Sequence, residues 1–280
     1  MHRGPDAVIV LIFFFSGLIL NIRQIRSGVM DIKVIIAALV IIFLVAPIVG
    51  MLFGAIPIDT GIVIGIFLVA VMPTTLSSGV VMTGAAGGNM AQALVITILA
   101  NGLAVFTIPL VLSLLLNLVG GSTAVVIDKL SIMIKLGFYV LLPLCFGLTI
   151  KLWAKSLLDR WVYRLQMLNQ FLVLAIVWMA MSQARDAIVS GGASVGIILL
   201  LVFSFHAILL VSAAIFIGCL NLGKGRRESV IFMGGQKTLP LSIILQVSLF
   251  PQYGLALVVC VLHHIVHLLM DGYLVGRIKA

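Results

Sequence analysis

The sequence has few charged residues. They make up 9% of its 280 positions, and only 8 are Asp or Glu. A soluble globular domain carries about 25% charged residues, so that class is excluded. Disorder is also excluded, because 63% of the residues are hydrophobic and such a chain does not stay solvated. The three cysteines, Cys145, Cys219 and Cys260, have neither metal-site spacing nor the even count of a disulfide framework. Of the broad protein classes, the composition therefore fits a membrane protein.

Long apolar runs fill the chain instead. A helical crossing needs about 20 apolar residues, so nine such runs consume nearly the whole length. The sequence therefore predicts an all-α polytopic membrane protein with nine crossings and no soluble catalytic domain. The nine runs are 7–22, 34–53, 61–86, 90–119, 132–153, 167–184, 194–220, 229–249 and 254–276.

The net charge of +9 is explained by membrane orientation. Loops rich in Lys and Arg stay on the cytoplasmic side, and an N-terminus outside puts twelve basic residues in inner loops and four in outer loops. The inner residues are Arg23, Arg26, Lys33, Lys151, Lys155, Arg160, Arg164, Lys224, Arg226, Arg227, Arg277 and Lys279; the outer ones are Arg3, Lys129, Lys135 and Arg185. We predict a multi-pass protein of the inner (plasma) membrane with a cytoplasmic C-terminus. Lipid, and not nucleic acid, is its charged partner.

Two runs carry helix-breaking and polar residues near their middle. In the third run, Pro73 precedes Thr74, Thr75, Ser77 and Ser78. Proline removes a backbone donor, so we predict a break near 73–79. At a rise of 1.5 Å per residue this break lies near the centre of a bilayer core of about 30 Å, where non-helical backbone persists only beside protein or a water-filled cavity.

The eighth run has the same character. Gly234 and Gly235 precede Gln236, Lys237 and Thr238, and Pro240 follows. The two predicted breaks are five crossings apart, so their helices enter the membrane from opposite sides, as in inverted repeats that build a central substrate site. The alternative is that these residues only help helices to pack, as we interpret Pro47, Pro109 and Pro143.

The predicted repeats are residues 7–119, with four helices, and residues 132–276, with five. A five-plus-five repeat would need ten crossings, so the first unit is expected to lack its first helix.

The stretches MPTTLSSGVVMTGAAGGN and FMGGQKTLPLS, with HHIVH in the following run, resemble the bile acid:sodium symporter family in its broad sense. The branch that carries Gly-x-Gln-Lys-Ser/Thr-Leu is the most similar. The resemblance implies a panel of helices beside a core, in which two discontinuous helices cross. It also implies nine-crossing members without the first helix.

The resemblance does not extend to the full set of sodium ligands. Gln236 is kept, but Phe232 stands where sodium-coupled members have Glu, and Lys237 where they have Asn. At further positions where the family places polar residues of its sodium sites, this sequence has Ile42, Ser78, Gly79, Ala93 and Thr97. Of these five residues, only Ser78 and Thr97 carry a hydroxyl group. Sodium prefers oxygen ligands and usually a carboxylate, so sodium coupling is doubtful and no other cofactor is expected.

Lys237 is the most informative single residue for function, because placing a lysine within the membrane costs several kcal/mol unless the lysine is paired or hydrated. Three interpretations stay open. Its ammonium replaces sodium beside Gln236, Ser78 and Thr97; it binds an anionic substrate or carries a coupling proton; or it snorkels or closes a helix end.

The predicted substrate-binding residues are Thr74, Thr75, Ser77, Ser78, Gln236, Lys237, Thr238 and His264. Neutral histidines commonly bridge helices, which is one interpretation of His206, His263, His264 and His267; a proton relay through His263 or His264 is the other. Glu228 and Asp271 lie near run ends, which argues against a carboxylate-based ion antiporter.

These features predict a secondary active transporter that moves a small organic solute, expected to be an anion, by alternating access, as a monomer or weak homodimer. The alternatives are a passive channel or regulatory membrane subunit and, remotely, an intramembrane enzyme with Ser78 and His264 as nucleophile and base.

Overall fold

The computed structural model of the chain describes residues 3–20, 31–119, 128–190 and 192–279, which leaves Arg23 and Arg26 outside the described residues. All regular elements in these ranges are helices, so the all-α prediction is confirmed. The helices are α1 (Arg3–Ile19), α2 (Ile32–Gly54), α3 (Thr60–Val71), α4 (Ser78–Ala85), α5 (Met90–Val119), α6 (Lys129–Trp153), α7 (Lys155–Gln183), α8 (Arg185–Ser190), α9 (Gly192–Cys219), α10 (Arg227–Gly235), α11 (Leu239–Leu249) and α12 (Gly254–Lys279).

Seven spans in the described ranges are long and apolar enough to cross a membrane. Two further apolar helices are shorter, Pro5–Ile19 in α1 and Thr60–Val71 in α3. The nine crossings therefore stay a prediction. The basic segment 155–164 forms the first turns of α7.

Both predicted helix breaks are present. The chain is non-helical from Met72 to Ser77, between α3 and α4, because Pro73 lacks the N–H that would continue the first helix. It is non-helical again from Gln236 to Thr238, where Gln236 is extended at φ −71° and ψ 147°, before Pro240 opens α11.

The helices form two layers. In one, α1 packs closely against α6 and α7; the other contains α2 to α5 and α9 to α12. We call the first layer the panel and the second the core. The panel depends on two glycines: a Cβ on Gly17 would lie 2.3 Å from the carbonyl oxygen of Leu144, and one on Gly147 would lie 2.2 Å from that of Phe14. Small residues allow this approach of two backbones.

Gly147→Ala should therefore separate α1 from α6 and destabilise the purified protein by about 1–3 kcal/mol, as overpacking does. Thermal unfolding in detergent measures this effect. The matched control is Gly196→Ala in α9, where an added Cβ has nothing within 4 Å and should leave the melting temperature equal or higher, because Ala favours the helix. Equal melting temperatures for both variants would contradict the close contact.

The two ends of the bundle are each held by contacts between distant segments. At one end, Arg226, which precedes α10, forms an ion pair with Asp31, which precedes α2. At the same end, the backbone N–H of Asn89 donates to the carbonyl oxygen of Gly225 at 2.8 Å. We call this end the basic face; α6 and α12 end there and α7 begins there. At the other end, Gly254 of α12 lies against Ala187 of α8.

The Asp31–Arg226 pair also explains a shifted ionisation. The hydrogen bond from Arg226 lowers the pKa of the Asp31 carboxyl, against a smaller opposing effect of burial. A carboxylate with a lowered folded-state pKa contributes its stability at neutral pH and loses it only as the pH falls through that value. The link between α2 and α10 is therefore intact at physiological pH.

Candidate functional site

The two helix breaks meet inside the core. The backbone N–H of Thr238 donates to the carbonyl oxygen of Pro73 at 2.9 Å. The Gln236 side-chain oxygen accepts hydrogen bonds from Thr75 at 2.6 Å and from Ser78 at 2.9 Å. Three of the predicted site residues thus share one hydrogen-bonded cluster, and Thr238 is joined to the first break through the main chain.

Asp271 is the residue that the sequence argument missed. It is fully buried in α12, where one carboxylate oxygen accepts from Gln236 Nε2 at 2.8 Å and the other lies 3.0 Å from His206 Nε2. The expectation that Asp271 lies near the end of its run, and not inside it, is therefore wrong, because α12 continues to Lys279. The spacing could have shown it, because Asp271 follows His264 by seven residues and His267 by four, which puts all three on one helical face.

Lys237 lies on the opposite side of the crossover. Its ammonium donates to the carbonyl oxygens of Ile42 at 3.0 Å, Met72 at 3.0 Å and Ala70 at 3.4 Å. The structure does not place it beside the side chains of Gln236, Ser78 and Thr97, as one sequence interpretation expected. The contacts instead match the interpretation in which Lys237 closes a helix end.

These three carbonyls need a partner for a reason visible in the sequence. Ala70 and Met72 lie at the C-terminal end of α3, where helical carbonyls lack intrahelical donors. Ile42 lies in a π-helical turn, Ile41–Val45, and the N–H that would reach its carbonyl belongs to position 47, which is proline. One ammonium thus supplies three donors to three otherwise unpaired buried oxygens.

Thr97 and Thr74 have local roles in the structure. The Thr97 hydroxyl donates to the Ala93 carbonyl at 2.9 Å on its own helix. Asn101 donates to the carbonyls of Thr97 at 2.9 Å and Thr74 at 3.3 Å, which ties α5 to the first break. The Thr74 hydroxyl is buried without a partner. Thr97 is therefore not among the contacts of Lys237 or Gln236.

A cavity of about 300 Å³ lies between panel and core at the crossover. Five predicted site residues line it: Thr75, Ser77, Ser78, Thr238 and His264. Panel residues that the sequence argument had not selected complete its polar lining, namely Ser16, Asn169 and Gln170. No charged side chain is among the described residues that line it.

A larger cavity of about 710 Å³ adjoins the first and shares Ser16, Ser77, Asn169 and Gln170 with it. Its lining continues to Lys151 and Asp159, which form an ion pair at 2.6 Å where α6 ends and α7 begins. The space therefore runs from the crossover to the basic face. At the opposite face, α8 packs against α12.

The comparison with known proteins agrees with this architecture. The sequence profile of the SBF-like CPA transporter family matches residues 1–280. The chain is 30% identical to a probable sodium/metabolite cotransporter of Arabidopsis thaliana chloroplasts, over 95% of this chain and 64% of the plant protein. It is 26% identical to a putative symporter of Escherichia coli, over 98% of this chain and 83% of that protein.

A sodium/bile acid cotransporter of Xenopus tropicalis is also 26% identical, over 96% of this chain and 80% of the frog protein. The chain spans about two thirds, 64%, of the length of the plant relative. The apolar helices and these relatives together indicate a multi-pass membrane protein. The chain belongs to the SBF-like CPA transporter family, within the bile acid:sodium symporters.

Proposed function

We propose that this chain is a secondary active transporter that moves a small organic anion across the plasma membrane by alternating access of the panel and the core. The observation that carries the proposal is the cavity at the crossover, which continues to the basic face and is lined by both layers. A solute bound there contacts panel and core together. Movement of one layer against the other would then change the face to which the solute is exposed.

The anionic character follows from the two half-helices that begin at the cavity. Ser78 opens α4, Leu239 opens α11, and both line the smaller cavity. Helix N-termini carry unpaired N–H groups and partial positive charge, so they stabilise an anion. The hydroxyl groups of Thr75, Ser77 and Thr238 complete a polar site within an apolar wall. We therefore assign substrate binding to these hydroxyls and to His264, with Gln236 behind them.

Lys237 takes an indirect part in this proposal. It is not among the cavity-lining residues described, and its three donors are occupied by carbonyls. It holds the end of α3 beside the crossover and, when protonated, supplies a positive charge where a bound cation would otherwise be needed. Two unit charges of like sign about 5 Å apart repel by about 3 kcal/mol at an effective dielectric constant of 20. Transport is therefore expected to be independent of sodium.

In the membrane, the chain is proposed to cross nine times as two inverted repeats, residues 7–119 and 132–276. The basic face is taken as cytoplasmic because it collects the Lys and Arg residues counted above. Alkaline phosphatase fused after Ala280 should then be inactive in cells, whereas a cytoplasmic reporter at the same point should be active. Phosphatase activity from that fusion would reverse the assignment.

A passive channel or a regulatory membrane subunit is the competing function.

We take the monomer as the transport unit because both cavities and the crossover lie within one chain. A weak homodimer is compatible with that unit.

The test begins with thermal shifts of the purified protein against a panel of aliphatic and aromatic mono- and dicarboxylates, with choline replacing sodium. The carboxylate that gives the largest shift is then assayed in proteoliposomes for counterflow. A carrier takes up labelled solute faster when the same solute is present inside, and a channel does not. Absence of any shift, or uptake without acceleration by internal solute, would contradict the proposal.

A further inference from the structure

A carboxylate is buried beside the crossover, and the proposed transport function does not use it. Asp271 has no exposed surface, and its two oxygens are bound by Gln236 and His206. Gln236 lies nine residues after Arg227 and Asp271 eight before Lys279, so both are about 12–14 Å from the basic face at 1.5 Å per residue. Asp271 therefore lies inside the membrane core, where an ionisable side chain is costly unless it serves a function.

The groups around Asp271 are histidines and one lysine. His206 comes from α9; His263, His264 and His267 come from α12 itself; Lys237 comes from the second break. The neighbouring helices α3, α4 and α11 carry no titratable residues. Those of α7 and α8 lie toward helix ends, at Lys155, Asp159, Arg160, Tyr163 and Arg164 and at Arg185 and Asp186. Lys237 is turned away, onto its three carbonyls. His206 is thus the titratable side chain that contacts the Asp271 carboxylate.

We infer that Asp271, held by His206, is a proton-binding site, and that Gln236 couples its protonation to solute binding at the crossover. This inference rests on the transport function proposed above. It makes the protein a proton and organic-anion symporter in which the proton replaces sodium.

With Asp271 charged, the hydrogen bonds run in one direction. The Gln236 amide group donates to Asp271, so its oxygen faces the first break and accepts the hydroxyl proton of Thr75. The Ser78 hydroxyl lies 2.9 Å from both the Gln236 oxygen and the Thr75 oxygen and donates its proton to one of them. Both hydroxyl protons are then held inside the protein. An anion in the cavity, which needs hydrogen-bond donors, receives none from these two groups, and the buried negative charge of Asp271 repels it.

A proton on the Asp271 oxygen that faces Gln236 reverses this pattern. The carboxylic acid becomes a donor, so the Gln236 amide turns over and presents its oxygen to Asp271. Its NH₂ group then has two donors for the oxygens of Thr75 and Ser78, and both hydroxyl protons are free to point into the cavity. One proton taken up at Asp271 thereby releases hydroxyl donors for the anion and removes the negative charge that repels it.

A route for the proton is present in the same face of α12. His264 lines the cavity, and its Nδ1 lies 2.9 Å from Nε2 of His267. The ring of His267 is 5.8 Å from that of His206, whose Nε2 contacts Asp271. Nδ1 of both His206 and His267 is buried without a hydrogen-bond partner, so each is open to accept a proton.

The first test needs no solute and uses the proton itself as the probe. Infrared difference spectra of the purified protein, recorded as the pH is lowered from alkaline to mildly acidic, should show a carboxylic-acid C=O band from a buried acid. The band should be absent in Asp271→Asn and unchanged in Asp128→Asn, the matched control with an exposed carboxylate. If Asp271→Asn does not fold, Asp271→Glu should shift the band instead. No such band in the wild type, or a band unaffected in both variants, would overturn the inference.

The second test separates this inference from the transport function. In proteoliposomes without sodium, the carboxylate with the largest thermal shift should accumulate up to about tenfold per unit of inward proton gradient, because one pH unit is worth about 1.4 kcal/mol. Asp271→Asn, which cannot take up or release the proton, should lose this accumulation.

The outcomes are distinguishable. Counterflow in the wild type without any response to the proton gradient would overturn proton coupling and leave the carrier function standing. If no carboxylate binds, the proposed function fails, and the infrared test alone decides whether Asp271 binds a proton.

Discussion

Lys237→Asn should make the protein markedly less stable and, unlike the wild type, responsive to sodium. The shorter side chain cannot reach the carbonyls of Ile42, Ala70 and Met72, which leaves buried acceptors unpaired. An unpaired buried group costs about 1–3 kcal/mol, so a loss of about 3 kcal/mol is a conservative expectation. By the scaling of domains of 150–250 residues, this lowers the melting temperature by about 6–12 °C.

Sodium should restore part of that loss. Removal of the ammonium leaves carbonyl oxygens and a new amide oxygen around an empty position, and hard cations prefer such ligands. Melting curves in sodium chloride and in choline chloride, at equal ionic strength, measure the effect. Lys33→Asn, at an exposed lysine of α2, is the matched control and should respond to neither salt. A wild-type protein stabilised by saturating sodium, or a variant as stable as the wild type in choline, would show that this role of Lys237 is wrong.

A disulfide between positions 187 and 254 should abolish transport. These positions lie at the face opposite the basic face, and a Cβ on Gly254 would lie 2.9 Å from that of Ala187, so a small adjustment brings the pair to disulfide geometry. Alternating access requires this closed face to open. With the bond formed, uptake should fall at least about tenfold, because a covalent link between α8 and α12 keeps this face from opening.

The assay compares oxidised and reduced protein of the Ala187→Cys, Gly254→Cys double variant. The exposed Cys145 and Cys219 are first replaced by serine, because they are free to react. Dithiothreitol should restore uptake, and each single-cysteine variant should be insensitive to oxidation. Equal uptake before and after reduction, with the disulfide verified by mass, would contradict alternating access and favour a channel.

Much of the fold could be predicted because the bilayer simplifies the physics. A lipid-facing backbone must satisfy its hydrogen bonds within each helix, so run length and composition identify the spans. The predicted runs and the observed helices agree at several ends, such as 90–119 and Met90–Val119. The break at Pro73 follows from a missing donor, which is a local property of the residue.

The candidate site could be predicted only where its chemistry was local. Thr75, Ser78, Gln236 and Thr238 were selected because polar residues beside helix breaks are unusual in an apolar run, and the structure brings them together. Asp271 was set aside because its sequence position is close to a run end. The structure extends α12 to Lys279 and places Asp271 two turns inside it, against Gln236 from another segment.

The sequence by itself determined the all-helical class, the positions of both helix breaks and the family, because each depends on composition, a missing donor or a local motif. Only the tertiary structure decided where Lys237 and Asp271 point. A long side chain beside a break can reach several elements, and which buried carbonyls or amides lack a partner depends on how distant helices pack. The π-helical turn before Pro47 leaves the Ile42 carbonyl without a backbone donor, and the Lys237 ammonium donates to that carbonyl. Asp271 was left with Gln236 and His206 as its partners because α9, α12 and the second break converge there.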